Sequence, residues 1–570
     1  MNNVTDNMKS ETCHSTWPLA RWVWSYQREW LPGDVMAGVT LAAFAIPVSL
    51  GYATLAGLPP HFGIYCYLIG GLAYALFGTS RQLAIGPTAA ISMLVGTTVA
   101  GMAEGDPARW AGIAALTALV VSALAAIAWA LRLSALMSFI SETILIGFKA
   151  GAAITIALTQ LPKLFGVSGG GDYFFERLGI LASQIPETNL AVLSFGLVAL
   201  ALLIAGETWL PGRPVALGVV VLSISVMSLS DLGEFGLKTV GEIPSGLPEI
   251  SLPSLRLRDV DGVIPLAFAC FLLSYIESVS AARALAAKNG YEVDPRQELL
   301  GLSSANLAVA FGQGFPVAGG LSQSAVNDKA GARSPLALVI ASISLGACLL
   351  FLTALVKNLP TVVLASIVLV AVKGLIDVKA LRRLQTISHL EFRISMVALL
   401  GVLFLGILKG VMLAAIVSLL MLITVAARPH VAILGRIPGT RRYSDRERHP
   451  ENEQIPGVLI FRVESSLLYF NTDYVRQVVW DAIQSAGPLQ LVLCDLSNSP
   501  WVDVSGVGLL LSLQKDLAER GATLRLAEPH SQVRDLLGVM VSEKPAGPSG
   551  HCLTIDQAIS EFENRCLKPC

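Results

Sequence analysis

The sequence predicts an α-helical polytopic membrane protein, two inverted-topology halves of seven segments each, followed by a small cytoplasmic α/β domain. Three observations point there. Only 14% of the 570 residues are charged and 54% are hydrophobic; a soluble chain averages roughly 25% charged residues, so most of this one belongs in lipid. Two stretches, AIGPTAA at residues 84–90 and GFPVAGGLS at 314–322, put proline and small residues at the head of apolar segments too short to cross a bilayer. After Ala427 the composition changes to short apolar runs alternating with helical patterns.

Apolar runs near the roughly 20 residues that span a bilayer fall at 34–53 (interrupted by Pro47), 62–77, the short segment from Pro87, 110–131, 136–161, 190–210 and 215–229. The series then repeats at 263–285, 298–311, the short segment from Pro316, 335–355, 362–375, 393–408 and 412–427. The copies align at an offset of roughly 230 residues, which sets Pro87 opposite Pro316 and Pro47 opposite Ile276 and Glu277. An odd number of spans per copy forces the two into opposite orientations. With the N-terminus inside, cytoplasmic loops hold Arg81, Arg132, Arg213, Lys288, Arg296, Lys329, Arg333, Lys379, Arg382 and Arg383. Outer loops hold Glu104, Asp106, Asp172, Glu176, Glu187, Asp231 and Glu234, with fewer bases. That asymmetry satisfies the positive-inside rule and leaves both termini in the cytoplasm, with the chain in a plasma (bacterial inner) membrane.

Residues 1–33 read as a cytoplasmic N-terminal segment, without the apolar stretch and small-residue site of a cleaved leader. Residues 34–427 are the membrane domain, 428–455 a basic, polar linker and 456–570 the cytoplasmic domain. Within the last, runs at 457–463, 466–470, 489–496 and 522–527 read as strands. Helical patterns at 472–484, 504–520, 532–540 and 554–566 cover a mixed sheet. The eight cysteines show no CxxC or metal-ligand spacing. No catalytic triad, phosphate loop or metal site is visible, so an enzyme is the least favoured class, and neither a cofactor nor a nucleic-acid partner is expected.

Broken helices in matching places of two halves put a substrate site where their N-termini meet near the midplane. Each N-terminus carries about half a positive charge, so two facing ones favour an anion. The amides of Thr88, Ala89 and Ala90 on one side and of Gly320, Leu321 and Ser322 on the other would hold it, with the hydroxyls of Thr88, Ser322 and Ser324 as further donors. Glycine at 319 and 320 permits close backbone approach; tight helix packing in lipid explains those two glycines nearly as well. Glu277 lies mid-run among apolar residues, where a carboxylate costs about 3 kcal/mol and usually marks an ion or proton path. It either carries a proton inward with the anion, bonds the backbone of a broken helix, or binds sodium together with Ser280 and Thr88. Glu142 and Lys149 stand two helical turns apart on one face; they pair, or each snorkels to its own side. Tyr52 and Phe315 line the cavity or pack. In the tail, Asp503-Val504-Ser505-Gly506 opens a helix, where Asp and Ser are ordinary caps and where a phosphate on Ser505 would sit on the helix N-terminus.

The stretches PVSLGYATLAGLPP at 47–60, LFGTSR at 76–81 running into Gly86-Pro87, ESVSAAR at 277–283, Gly290-Tyr291 with Asp294-Pro295, QEL at 297–299 and GFPVAGGLSQSAVN at 314–327 carry a resemblance. In this order and spacing they resemble the sulfate permease (SulP) family of anion transporters fused to a STAS domain, over nearly the whole chain. The resemblance implies fourteen segments divided into core and gate domains, and a homodimer. It implies a substrate cradle between the third and tenth segments, facing the first and eighth, which adds Gln323 and Tyr52 to the residues above. Many relatives have Gln after the first-segment proline, where this chain has Val48, and Arg where it has Gln323. Both changes remove polar or charged groups near the implied site. The tail is similar to the anti-sigma-factor antagonists, in which the serine matching Ser505 is a kinase target, and a cytoplasmic protein partner is implied for it.

The expected function is secondary active transport: proton-coupled symport of sulfate or a similar inorganic or carboxylate anion. Sodium-dependent bicarbonate symport and dicarboxylate transport suit the same cradle of amides and hydroxyls. A membrane-anchored sensor whose tail recruits a partner is the alternative of a different class.

Overall fold

The computed structural model describes residues 20–103, 106–133, 142–171, 173–210, 214–230, 235–242, 246–253, 257–351, 353–540 and 554–566. Glu104, Asp172, Arg213, Asp231, Glu234, Cys13, Cys552, Cys570 and the expected segment start at Leu136 lie outside them, as does the side chain of Glu142. Two compact units divide between Ser418 and Leu419.

The first unit is helical. A turn, α1 (Arg21–Trp24), precedes α2 (Leu31–Leu55), α3 (His61–Phe77), the strand β1 (Ile85–Gly86) and the short α4 (Ala89–Ala103). Then come α5 (Pro107–Ala130), α6 (Glu142–Phe165), α7 (Phe174–Gln184), α8 (Leu190–Trp209) and α9 (Val215–Leu229). The second series is α10 (Leu257–Asn289), α11 (Pro295–Phe311), β2 (Ala318–Gly319), α12 (Leu321–Lys329), α13 (Leu336–Phe351), the turn α14 (Thr353–Val356), α15 (Thr361–Lys373), α16 (Val378–Ile387), α17 (His389–Leu405) and α18 (Ile407–Ala427). Side-chain caps set several starts: Asp106 accepts from the Ala108 amide, Asn189 from Ala191, Asp294 from Arg296 and Ser388 from Glu391.

Among the described residues, seven helices are long and apolar enough to cross a membrane. Their outward faces carry large apolar side chains such as Leu197, Val198, Leu202, Ile264, Phe268 and Ile416, a surface that water would penalise and lipid would not. The helix expected to break at Pro47 does not: α2 runs through that proline, a loss of one backbone bond that a buried helix absorbs among its neighbours. Two amphipathic helices, α7 and α16, were not expected; each is too short and too polar to read as a span.

Packing obeys the repeat. α13 packs on α2 and α3 as α5 packs on α10 and α11; α12 packs on α2 as α4 packs on α10; α6 pairs with α17 as α15 pairs with α8. One bundle thus comes from α2–α5 and α10–α13, the other from helices that follow each of these sets. Matching clasps close the first bundle. Asp34, at the start of α2, accepts from the Arg333 and Ser334 amides (2.7 and 3.1 Å) and the Ser334 hydroxyl (2.7 Å) at the head of α13. Asp259, at the start of α10, pairs with Arg109 at the start of α5 (3.0 Å).

In the second unit, β3 (Val431–Arg436), β4 (Tyr443–Asp445), β5 (Val458–Val463), β6 (Leu491–Asp495) and β7 (Thr523–Ala527) form one sheet in the order β4-β3-β5-β6-β7. The β5-β6-β7 pairs are parallel and the others antiparallel. Alternate residues face opposite ways. Leu459, Phe461 and Val463 pack under α19 (Thr472–Ser485), α20 (Val504–Ala518) and α21 (Ser531–Met540), while Val458 and Ile460 meet α22 (Ile555–Cys566). Two expectations are corrected here. The stretch 428–455, read as a linker, contains β3 and β4, whose Val431, Ala432 and Leu434 are buried in the sheet. The run 466–470, read as a strand, contributes only an isolated bridge between Leu467 and Val502.

Candidate functional site

The two broken segments meet. β1 and β2 pair antiparallel, Ile85 with Gly319 and Gly86 with Ala318. A helix follows each strand, so α4 and α12 leave this ribbon in opposite directions with their N-terminal ends beside each other. The ribbon is held from every side. Ser278 of α10 accepts from the Gly319 amide (2.8 Å). Asn306 of α11 accepts from the Val317 amide (3.0 Å) and donates to the Val317 carbonyl (3.2 Å). The Cys66 thiol of α3 meets the backbone of buried Phe315. Gln323 donates to the Pro87 carbonyl (2.8 Å), tying one helix end to the other. The Tyr67 ring lies against Gly86 so closely that a Cβ there would come within 2.3 Å of it.

Several polar atoms at this break have no partner. The Oγ1 of Thr88, the Oγ of Ser92, the hydroxyl of Tyr67 and the Oε1 of Gln323 are all buried and unbonded. Thr88 immediately precedes α4 and Ser92 lies one turn on, its amide donating to the Thr88 carbonyl (2.9 Å). Buried polar atoms are nearly always satisfied in native proteins, so an unsatisfied group at two helix N-termini marks a place built to meet something polar. Tyr67 and Ser92 were missed in the sequence, because neither lies in a motif and each is one of many similar residues on apolar helices.

The expected site residues divide. Thr88, Ala89 and Ala90 are buried at the start of α4. Ser324 donates to the Gly320 carbonyl (2.7 Å) and accepts from the Ala84 amide (2.9 Å); its one proton is committed to the ribbon. A Cβ on Gly319 would meet Leu83 at 2.7 Å, and one on Gly320 would meet the Gln323 carboxamide at 2.9 Å. Those glycines therefore make room for neighbouring side chains. Leu321 and Ser322 are exposed. Glu277 is half-buried in α10, with Tyr52 of α2, Thr88 of α4 and Lys149 of α6 within electrostatic or hydrogen-bonding reach, although Thr88 Oγ1 makes no hydrogen bond of ordinary length.

In the tail, Asp503 caps α20, accepting from the Gly506 amide and the Tyr469 amide (both 2.8 Å), and Ser505 is exposed in the first turn. A cluster not foreseen brings ligand atoms of His430, Asp445 and Glu447 within 4.8 Å of one another. His430 Nε2 lies 3.0 Å from Asp445. Burial works against ionisation of that carboxyl, but the Glu447 amide, His430 and Arg448 outweigh it and hold Asp445 below the usual carboxylate range.

Two oppositely directed broken helices, meeting at a polar break inside a lipid-compatible helical unit, define a membrane transporter. Residues 31–398 match the sulfate permease family and residues 449–540 the STAS domain. The chain belongs to the sulfate permease family and is an integral-membrane anion transporter with a C-terminal STAS domain. It is 31% identical to "Probable sulfate transporter Rv1739c" of Mycobacterium tuberculosis, over 95% of this chain and 97% of that one. It is 32% identical to "Sulfate transporter 4.1, chloroplastic" of Arabidopsis thaliana, over 90% and 78%. Its fold is that of the murine anion transporter Slc26a9 in the inward-facing state (TM-score 0.88, 22% identity, 98% and 97% of the two chains). The transmembrane domain of the cyanobacterial bicarbonate transporter BicA also matches (TM-score 0.60, 21% identity, 69% and 98%).

Proposed function

We propose that this chain is a proton-coupled symporter of sulfate or a similar inorganic or carboxylate anion, working by alternating access of its two bundles. The observation that carries the reading is the antiparallel ribbon that sets the N-terminal ends of α4 and α12 side by side, with the unpartnered Thr88 and Ser92 hydroxyls at the head of α4. Partial positive charge at both ends and first-turn amides suit an oxyanion. Glu277 alongside is the one acid at the break among the described residues, and taking up a proton removes a charge that is costly at membrane depth. The names of the relatives make sulfate the first substrate to test. In this reading the protein is a homodimer in the bacterial inner membrane with both termini cytoplasmic, and the exposed Ser505 face of the STAS domain receives a protein partner.

The unpartnered Thr88 oxygen beside the Glu277 carboxylate also suits a sodium ion, and sodium-driven uptake is the second reading. Uptake of radiolabelled sulfate into proteoliposomes, with competing anions at two pH values, tests both. The wild type is expected to accumulate sulfate under an inward proton gradient. Glu277→Gln is expected to abolish accumulation while leaving sulfate binding partly intact; accumulation by that variant would exclude the coupling role. Uptake that follows sodium and ignores the proton gradient would select the second reading.

A further inference from the structure

The break itself offers an anion helix-end partial charges, first-turn amides and the Thr88 and Ser92 hydroxyls, but no whole charge. Gln323 uses its amide on Pro87, and no guanidinium stands in its place. One cation of the other bundle lies within electrostatic reach of Glu277. Lys149 of α6 is half-buried and, among the described residues, forms no ion pair within 4.0 Å. α6 and α10 face each other across a small apolar cavity lined by Leu145 and Phe148 of α6 and Leu273 and Ile276 of α10. Lys149 follows Phe148 and Glu277 follows Ile276, so each charge is the chain neighbour of a residue that lines this gap.

The charged groups on surrounding elements are otherwise engaged or distant. Arg109 of α5 pairs with Asp259, and Asp328 of α12 with Lys288. Glu298 of α11 accepts from Tyr74, Thr79 and Ser80. Arg296 of α11 lies over Trp129. Arg283 of α10 lies within electrostatic range of Tyr275, and Lys373 of α15 within that of Glu207 of α8. Lys329 of α12, and Arg393 beside Glu391 at the start of α17, lie at helix termini. α2 offers Tyr52 and α4 offers Thr88.

We propose that Lys149 is the anion-binding cation of this site and the link between anion and proton. In the empty transporter Lys149 balances ionised Glu277. A bound oxyanion replaces Glu277 as the counter-charge of Lys149, and Glu277 takes a proton from the aqueous side as the anion enters. Linkage is reciprocal: protonating Glu277 strengthens anion binding by the same factor by which the anion strengthens protonation. Because Lys149 and the cradle belong to different bundles, the bound anion also joins them.

This inference rests on the proton-symport reading, and the experiment separates the two. Sulfate uptake into proteoliposomes is measured against external pH for the wild type, Lys149→Met and Lys149→Arg. The wild-type half-saturating sulfate concentration is expected to rise as pH rises. Lys149→Met is expected to raise it about tenfold at acid pH and to flatten its pH dependence, and Lys149→Arg to keep the slope. A wild type indifferent to the proton gradient would sink the symport reading itself; a proton-driven wild type with an unchanged Lys149→Met would sink only the role of Lys149. Sulfate protection against thermal unfolding in detergent, measured on Lys149→Gln, gives a check independent of flux. Loss of pH-dependent protection supports the link, and wild-type protection overturns it.

Discussion

Ser324 shows what a hydroxyl at a candidate site can be doing instead of binding a ligand. Its proton goes to Gly320 and its lone pair to the Ala84 amide, so it holds the ribbon in register. Ser324→Ala leaves a buried amide unbonded, a cost of about 1–3 kcal/mol. The expected outcome is a lower melting temperature and slower sulfate uptake, with the pH dependence of uptake unchanged; a shifted pH profile would make Ser324 part of the coupling. Thr88→Val removes a hydroxyl that holds nothing in place. It is expected to weaken sulfate binding with little loss of thermal stability, checked by the same two measurements. Hydroxyls at 88, 322 and 324 are equally visible in the sequence. Which of them serves the ribbon depends on the pairing of Ile85 with Gly319, and no local pattern encodes a contact between residues so far apart.

Among the elements, the two proline-headed segments were legible because proline and glycine punctuate an otherwise continuous apolar pattern. Their pairing as strands was not, since two residues are too few to show a period. β3 and β4 were hidden for a different reason: the short apolar run of β3 sits in a stretch rich in arginine, and β4 is only Tyr443-Ser444-Asp445, with no apolar run to find. The false strand at 466–470 is an apolar run turned by Asn471, which accepts from the Leu468 amide (3.0 Å) and donates to the Ser466 carbonyl (2.9 Å). α7 and α16 escape any search for spans because their apolar faces cover only part of each turn. The ribbon itself makes a sharp prediction. Gly86→Ala puts a Cβ against the Tyr67 ring, so it is expected to displace the ring and cut sulfate uptake at least about tenfold, as misplacement near a reacting or binding centre does. Uptake at the wild-type rate would mean that the ribbon tolerates a shift that the packing forbids.

Across the whole membrane unit, the inverted repeat was readable from the matching prolines and the repeated series of apolar runs, and the packing expresses it as pairs of equivalent contacts. The Asp34 and Asp259 clasps stand at equivalent ends of that repeat, one made with backbone amides and a serine, the other with an arginine. They share no partner, so Asp34→Asn and Asp259→Asn are expected to lower the melting temperature of the detergent-solubilised protein separately and additively. The chemistry of each clasp was invisible in sequence because the aspartates and their partners lie far apart along the chain. The central claim, that antiparallel broken helices aim their amide ends at one anion, is tested most directly by a density map of the protein at acid pH with selenate, whose anomalous scattering marks it. Selenate is expected between the first turns of α4 and α12, beside Thr88. Selenate bound elsewhere, or either helix running unbroken through the ribbon, would contradict it.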